Sequence, residues 1–252
     1  MAAFKSTVTV SGGTVEGNDS GTANGGGLYL ENCNSTFIGG VITGNKTVRG
    51  EGEDGLEINN TGFGGGVYVM EKNGTSKFVL KGDSQISGNS ACSGAGVLLN
   101  GGDFDMIGGV IDNNRSAWHG GAICVIKADS FNLTSGDITN NTTALKNGGA
   151  IYYKVEGGTI NINGANISHN TSETNVGGAI YVEAGSLNIT DGTLSYNTSG
   201  NNGGAINFNS PNGQLTVNGG SVSYNTAEGG NGGGIYVGNG DMTILGGVID
   251  HN

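Results

Sequence analysis

Apolar and polar residues alternate in short runs that recur along the whole chain at a nearly constant interval. In each run two inward apolar residues flank one outer residue, as in Phe131-Asn132-Leu133 and Leu187-Asn188-Ile189. Such alternation predicts a half-buried β-strand, because successive strand side chains point to opposite faces. An aliphatic residue five positions after the second inward residue marks another short strand. Between Leu80 and Ile86 the interval is six, which predicts a β-bulge at Gly82-Asp83.

Two markers define the repeat. The first is a Gly-rich turn before an apolar strand, as in Gly177-Gly178-Ala179-Ile180. The second is an Asn that lies three residues after an aliphatic residue, and it occurs at Asn18, Asn45, Asn89, Asn114, Asn141, Asn170, Asn197, Asn225 and Asn252. Successive Asn residues are 25 to 29 positions apart, except for 44 between Asn45 and Asn89. The extra length predicts an inserted loop near residues 46–62.

Three short strands in about 28 residues cannot bury their apolar face alone, but stacked coils can. The pattern therefore predicts an all-β fold, a single parallel β-helix (β-solenoid) of about nine coils over residues 1–252. The handedness of parallel crossovers favours a right-handed coil. A leucine-rich repeat has a similar period but needs a helical return, for which segments such as 198–202 are too short and too rich in Gly and Asn. We interpret the chain as a segment of a longer protein, since Asn252 falls on a repeat boundary.

The amino-acid composition agrees with this fold and disfavours several classes of binding partner. Gly accounts for 53 of 252 residues and no window sustains a helical apolar stripe, so helices are not expected. The net charge of −11 disfavours nucleic acid and anionic membrane surfaces as partners. No apolar run is long enough to span a bilayer, so we expect no membrane insertion. Neither a cofactor nor a metal site is indicated by any motif.

The recurring Asn predicts a structural ladder rather than a binding site. An Asn at a sharp corner tolerates a left-handed backbone and bonds to neighbouring main chain. Stacked on successive coils, such residues would form a column of amides.

The outward position of the first strand in each coil is occupied mainly by tyrosine, at Tyr29, Tyr68, Tyr152, Tyr181 and Tyr236. The other residues in this column are Leu98, Cys124 and Asn207. One interpretation is cross-coil stacking that stiffens the sheet. The other is an aromatic strip on which a sugar ring or a partner side chain stacks, and we predict these tyrosines as the ligand-binding residues.

Other chemistry-bearing residues give weaker signals. Asp103 and Asp105 lie two apart on one strand, with Asp112 in the same coil, which is compatible with the two carboxylates of a glycosidase. No cleft is evident there, so solvated surface acids are the favoured interpretation and no catalytic residue is predicted. Trp118-His119 is expected at a corner. Cys33, Cys92 and Cys124 predict either three free thiols or one Cys92–Cys124 bridge.

The motif Gly-Gly-Ala-Ile at 120–123, 148–151, 177–180 and 203–206 gives the chain a resemblance to known proteins. It resembles the passenger domains of polymorphic outer-membrane proteins, which repeat GGA(I/L/V) and FxxN. More broadly it is similar to the adhesin-like β-helical repeats of bacterial surface proteins. Each aliphatic residue three before an Asn stands where that family has Phe. The resemblance implies secretion in the manner of autotransporters, extracellular or cell-surface display, and attachment.

These observations predict a non-catalytic surface protein, a rigid stalk or passenger that binds glycans or host proteins. Two alternatives stay open. One is a polysaccharide lyase or hydrolase, since enzymes also use this fold. The other is a self-assembling filament subunit in which terminal coils pair end to end with another copy.

Overall fold

The chain is a parallel β-solenoid of about nine turns, which confirms the predicted fold class. The computed structural model describes residues 1–47 and 61–252, so most of the insertion predicted near 46–62 lies outside the described residues. In the described part of the chain, regular secondary structure consists of strands alone.

Twenty-one strands follow one another in the described residues. The first eleven are β1 Ala2–Phe4, β2 Thr7–Glu16, β3 Leu28–Glu31, β4 Asn34–Thr43, β5 Val67–Met70, β6 Lys77–Leu80, β7 Gln85–Ser87, β8 Ser90–Ser93, β9 Val97–Asn100, β10 Asp103–Asp112 and β11 Arg115–His119. The other ten are β12 Ile123–Lys127, β13 Ser130–Thr139, β14 Thr142–Thr143, β15 Ile151–Ser168, β16 Thr171–Ser172, β17 Ile180–Ser195, β18 Thr198–Ser199, β19 Ile206–Ser223, β20 Thr226–Ala227 and β21 Ile235–Asp250.

All described pairings between strands are parallel, and each strand pairs with its counterpart in the next coil. The strands form one 15-stranded sheet that wraps around the coil and one 6-stranded sheet. The smaller sheet, β8-β11-β14-β16-β18-β20, consists of short strands that begin directly after the ladder Asn. The sequence did not predict this sheet, because the strand itself is only two residues long in four of the six coils.

The expectation of three separate strands per coil also differs from the structure. In the later coils β15, β17, β19 and β21 run continuously through all three predicted strands. At the corners the pairing between neighbouring strands shifts register, as between Ile162 and Asn163, but no loop interrupts the strand. The extra residue predicted at Gly82-Asp83 is present, but it lies in a turn between β6 and β7 and not in a bulge within one strand. The step from Met106 to Val110 is four positions, and the matched step from Leu80 to Gln85 is five.

The core consists of columns of equivalent residues stacked coil on coil. Phe131 pairs with Ile160 and this column continues through Leu187 and Leu215, all with no exposed surface. In the earlier coils phenylalanine rings stack, with centroids of Phe104 and Phe131 5.1 Å apart. Each such buried side chain contributes about 1.5–3 kcal/mol through the apolar surface it removes from water.

The asparagine ladder is present along the whole solenoid. The backbone N and the Nδ2 of Asn141 both donate to Oδ1 of Asn170, at 2.9 and 3.0 Å. Nδ2 of Asn141 also donates to the carbonyl of Ile111, the aliphatic residue of the preceding coil. The same bonds recur from Asn18 to Asn252, and the seven interior members are at most 1 % exposed.

The left-handed backbone expected at the ladder Asn lies one residue earlier. The residue before every ladder Asn has a φ of +51° to +65°. These residues are Gly17, Gly44, Gly88, Asn113, Asn140, His169, Tyr196, Tyr224 and His251. The prediction was wrong by one position because the turn must be completed before the amide can enter the interior, where it bonds to both neighbouring coils.

We predict that Asn141→Ala destabilises the protein by about 3–5 kcal/mol. It leaves the backbone N of Asn114 and the carbonyl of Ile111 buried without these partners, at about 1–3 kcal/mol each, while Nδ2 of Asn114 keeps its other two acceptors. Asn18→Ala is the matched control, because Asn18 is exposed and a loss under about 1 kcal/mol is expected there. Urea denaturation measures both variants, and equal losses would contradict a cooperative buried ladder.

Candidate functional site

The tyrosines of the first strands form a column on the side of the sheet that faces away from the main core. Tyr29 pairs with Tyr68, and Tyr152 with Tyr181, in neighbouring coils. Their rings stack, with centroids 5.4 Å apart in the first pair and 5.8 Å in the second. The cross-coil stacking interpretation is therefore confirmed for these two pairs.

The column is covered, which the sequence did not predict. Tyr68, Tyr152 and Tyr181 are only 4, 5 and 7 % exposed and form a second apolar cluster, separate from the main core. Phe63 and Val176, each directly before a Gly turn, pack against this cluster. The expectation of an open strip is thus wrong for these three rings. Tyr29 and Tyr236 are partly exposed, and a ligand-binding role for the column stays a prediction.

The column is interrupted at two places, and a cavity lies at each. Asn207 stands between Tyr181 and Tyr236 in the register. A groove of about 370 Å³ there is lined by Tyr181, Tyr236, Val176, Gly238 and six asparagines, Asn147, Asn175, Asn202, Asn207, Asn209 and Asn239. Leu98 and Cys124 stand together between Tyr68 and Tyr152, beside a second cavity of about 390 Å³.

The amide side chains of the groove are positioned by one another and by main chain. Nδ2 of Asn239 donates to Oδ1 of Asn209 at 2.6 Å, and Nδ2 of Asn209 donates to the Tyr181 hydroxyl at 3.4 Å. The backbone N of Asn231 donates to Oδ1 of Asn202 at 2.7 Å. Oδ1 of Asn147 is buried and has no partner. The groove therefore presents preorganised amides and one unused acceptor.

A compact ionic cluster lies on the Tyr152 side of the column. The Tyr152 hydroxyl donates to Oε2 of Glu183 at 2.5 Å, and Nζ of Lys154 lies 2.6 Å from Oε1 of Glu183. Burial raises the pKa of Tyr152, and its bond to the Glu183 carboxylate raises it further. Burial also acts to raise the pKa of Glu183, but the hydrogen bonds from Lys154 and Tyr152 outweigh it and hold that pKa below its usual range.

The acidic residues considered as a catalytic pair are engaged in cross-coil bonds. Oδ2 of Asp105 lies 2.6 Å from Nζ of Lys77, and its Oδ1 accepts from Asn132. Burial acts to raise the pKa of Asp105, but these two hydrogen bonds outweigh it and lower that pKa. Asp103 accepts from the Ser130 hydroxyl at 2.5 Å, and Asp112 accepts from Gln85. Each carboxylate thus has a structural partner in a neighbouring coil.

Trp118 and His119 end strand β11, and both side chains line the second cavity. Arg115, at the start of the same strand, forms a bidentate ion pair with Glu173, with N–O distances of 2.6 and 3.1 Å. Cys33, Cys92 and Cys124 are buried free thiols, so the Cys92–Cys124 bridge is not formed. Burial raises the pKa of the Cys92 thiol to about 11, and that of Cys124 further, so neither is a ready nucleophile or metal ligand.

An exposed aromatic column, which the sequence analysis missed, lies at the left-handed corner. His169, Tyr196, Tyr224 and His251 stack in order, with centroids 5.0 to 5.1 Å apart and planes within 17° of parallel. Tyr196 and Tyr224 are 51 and 46 % exposed. The signal was available, because all four residues directly precede a ladder Asn.

The described residues also lack two features of other functional classes, a metal site and a membrane-spanning helix. Among residues 1–47 and 61–252, no group of three or more His, Cys, Asp or Glu side chains could hold a metal ion. That part of the chain also has no helix long and apolar enough to cross a bilayer.

Compared with protein-family models, curated protein sequences and solved structures, the chain shows no significant match. The resemblance to polymorphic outer-membrane proteins therefore rests on the repeat motifs alone and stays a prediction.

Burial of tyrosines in the column and in the main core predicts a loss of stability at alkaline pH. Burial raises the pKa of Tyr29 in the column and of Tyr153 in the main core to about 12, and that of Tyr152 is raised as well. The unfolded value is about 10, so the folded protein retains protons that the unfolded chain releases. The contribution of these tyrosines to the free energy of unfolding should be fully present below pH ~10 and decline from pH ~10 towards ~12. In urea titrations Tyr152→Phe should show a smaller decline than the unsubstituted protein, and equal slopes would contradict this origin.

The corner column predicts losses of stability of different size for two small substitutions at Tyr196. Tyr196→Ala keeps the left-handed backbone of a residue with a Cβ and loses stacking on both sides, at about 0.5–1.5 kcal/mol per ring pair. Tyr196→Gly loses the same stacking but relieves a backbone cost of about 1–2 kcal/mol. The Gly variant should therefore unfold at a higher urea concentration than the Ala variant. The reverse order would show that backbone strain is unimportant at this corner.

Proposed function

We propose that this chain is a non-catalytic, extracellular surface module, a rigid β-solenoid that binds a neutral glycan in the asparagine-lined groove beside Tyr181 and Tyr236. The observation that carries the proposal is the composition of this groove. Six amide side chains and two tyrosines line it, and none of its lining residues is charged.

The lining matches the chemistry of a sugar. Each Asn amide offers both a donor and an acceptor, so it can pair with a hydroxyl group in either direction. The partly exposed Tyr236 ring supplies an apolar surface for the C–H groups of a pyranose, while Asn209 and Asn239 are held by their own hydrogen bond. Oδ1 of Asn147 is buried without a partner and would accept from a ligand hydroxyl. A neutral ligand fits because no lining group would compensate a charge.

The scaffold favours binding over catalysis. Glycoside hydrolysis uses a pair of carboxylic acids that flank the scissile bond, and the groove lining contains no carboxylate. Asp105 is bonded to Lys77 and Asn132 instead. Binding groups mounted on continuous strands, such as Tyr181 on β17, lose little conformational freedom when a ligand arrives, which suits an attachment module.

The proposal is tested by a glycan array followed by calorimetry with each hit, comparing the protein with Asn207→Tyr and Tyr236→Ala. Asn207→Tyr places a ring in the break between Tyr181 and Tyr236 and should abolish binding. Tyr236→Ala should weaken binding about tenfold, since one aromatic contact contributes up to ~1.5 kcal/mol.

Cys124→Tyr is the matched control, because it places the same side chain at the other break of the column and should leave glycan affinity unchanged. Failure of every glycan to bind, or undiminished binding by Asn207→Tyr, would contradict the proposal.

Two further measurements on the purified protein test the alternative functions, a polysaccharide-degrading enzyme and a filament subunit. Release of reducing or unsaturated ends from a bound polysaccharide would favour a hydrolase or lyase, with Asp105→Asn as the first variant to examine. A molar mass that rises with concentration in light scattering would favour a self-assembling filament subunit.

A further inference from the structure

The second break in the tyrosine column is of a different chemical character from the asparagine groove. Leu98 and Cys124 replace tyrosine in two consecutive coils, and Cys124 pairs with Leu98 on one side and Tyr152 on the other. Where tyrosines occupy neighbouring coils, as at Tyr29 and Tyr68, their rings fill this space by stacking. Leu98 and Cys124 bring no ring to these two positions of the column, and a cavity of about 390 Å³ lies beside them, with the His119 imidazole packed on Tyr152 in its wall.

The walls of this cavity are mainly apolar and aromatic. Leu98 and Cys124 are 1 and 2 % exposed and lie beneath it, while Phe63, Trp118 and Tyr152 contribute rings. Ile126 also lines the cavity and is 43 % exposed, which places it at the opening. Cavities of this composition take up apolar rings in preference to water, because water finds too few polar partners there.

One polar atom in the wall lacks a partner. Nδ1 of His119 is buried and accepts or donates no hydrogen bond, while the imidazole packs on Tyr152 with ring centroids 4.1 Å apart. Burial lowers the pKa of His119 to about 4, so the imidazole is neutral at pH 7. A buried nitrogen without a hydrogen bond is energetically unfavourable, and a bound hydrogen-bonding group would remove that cost.

The cavity does not call for a charged ligand. The ammonium group of Lys154 also lines the cavity, but it is already paired with Glu183 at 2.6 Å. An anion would have to displace Glu183 from Lys154, and a cation would compete with Lys154 for the Glu183 carboxylate. The Cys124 thiol is protonated because burial raises its pKa, so it offers neither charge nor a nucleophile.

We propose that this cavity is a binding site for a small uncharged aromatic molecule that bears a hydroxyl group. Its ring occupies the gap in the tyrosine column between Tyr68 and Tyr152, and its hydroxyl bonds to Nδ1 of His119. A phenolic hydroxyl both donates and accepts, so it satisfies this nitrogen in either tautomer of the imidazole. The site is independent of the proposed glycan groove and lies at the other break of the same column.

Phenol and toluene are the probes, because they have similar shapes and differ in the hydroxyl group. Calorimetry should show saturable binding of phenol, with toluene about tenfold weaker (~1.4 kcal/mol at 25 °C) for lack of the hydrogen bond. Trp118, the only tryptophan of the chain, gives a second readout through its fluorescence, excited where phenol does not absorb. Absence of saturable phenol binding would overturn the proposal.

Three variants locate the site. Cys124→Tyr extends the column into the cavity and should abolish binding of both probes, with folding checked by circular dichroism and thermal unfolding. Ile126→Tyr narrows the opening from an exposed position and should weaken the binding of both probes. It tests the location even if Cys124→Tyr does not fold. His119→Phe keeps a ring on Tyr152 but removes the nitrogen, so phenol should lose its tenfold advantage over toluene.

Asn207→Tyr serves as the control that fills the other break, and it should leave phenol binding unchanged. Retained binding in both Cys124→Tyr and Ile126→Tyr would overturn the location. A retained phenol advantage in His119→Phe would overturn the role of His119. Because each filling variant acts at one break, failure of the phenol site and failure of the glycan groove are distinguishable.

Discussion

The register of the coils in this fold depends on the buried asparagine ladder. Each interior Oδ1 accepts two hydrogen bonds from the Asn of the preceding coil, and each Nδ2 donates to the next Asn and to a main-chain carbonyl. Aspartate lacks the donors, and glutamine is one methylene too long for a site with at most 1 % exposure. The ladder fixes the height of every coil relative to its neighbours, because its bonds satisfy polar groups that have no access to water.

A fixed vertical register turns each position of the repeat into a column. A residue in a column contacts the residues at the same position of the coils above and below. Its contribution to stability therefore depends on whether those residues have the same shape. Tyrosines of the first strands stack where they are adjacent. Where Asn207, or Leu98 with Cys124, interrupts them, space opens and the character of the substitute sets the character of the cavity. In this solenoid the departures from the repeat, and not the repeat itself, generate candidate binding sites.

This explains how much the sequence could predict. The stacked coils could be predicted from the alternation in runs such as Phe131-Asn132-Leu133. The asparagine ladder could be predicted from the spacing of the Asn residues, because both features follow from local patterns. Burial of Tyr68, Tyr152 and Tyr181 could not be predicted, since the residue before each Gly turn is mostly polar and only Phe63 and Val176 are apolar there. The asparagine groove could not be predicted from the sequence for a related reason. Its residues belong to several coils and come together only through the register.

The corner column shows that context can make an unfavourable backbone tolerable. A left-handed φ at a lone tyrosine has no compensation and costs about 1–2 kcal/mol. In this chain Gly or Asn occupies that position in the first five coils, and aromatic rings occupy it in the last four. Tyr196 and Tyr224 each stack on two neighbours, which offsets a cost of similar size. A ring here is therefore stabilising only when a neighbouring coil also carries one, so the four residues form a single cooperative unit rather than four independent side chains.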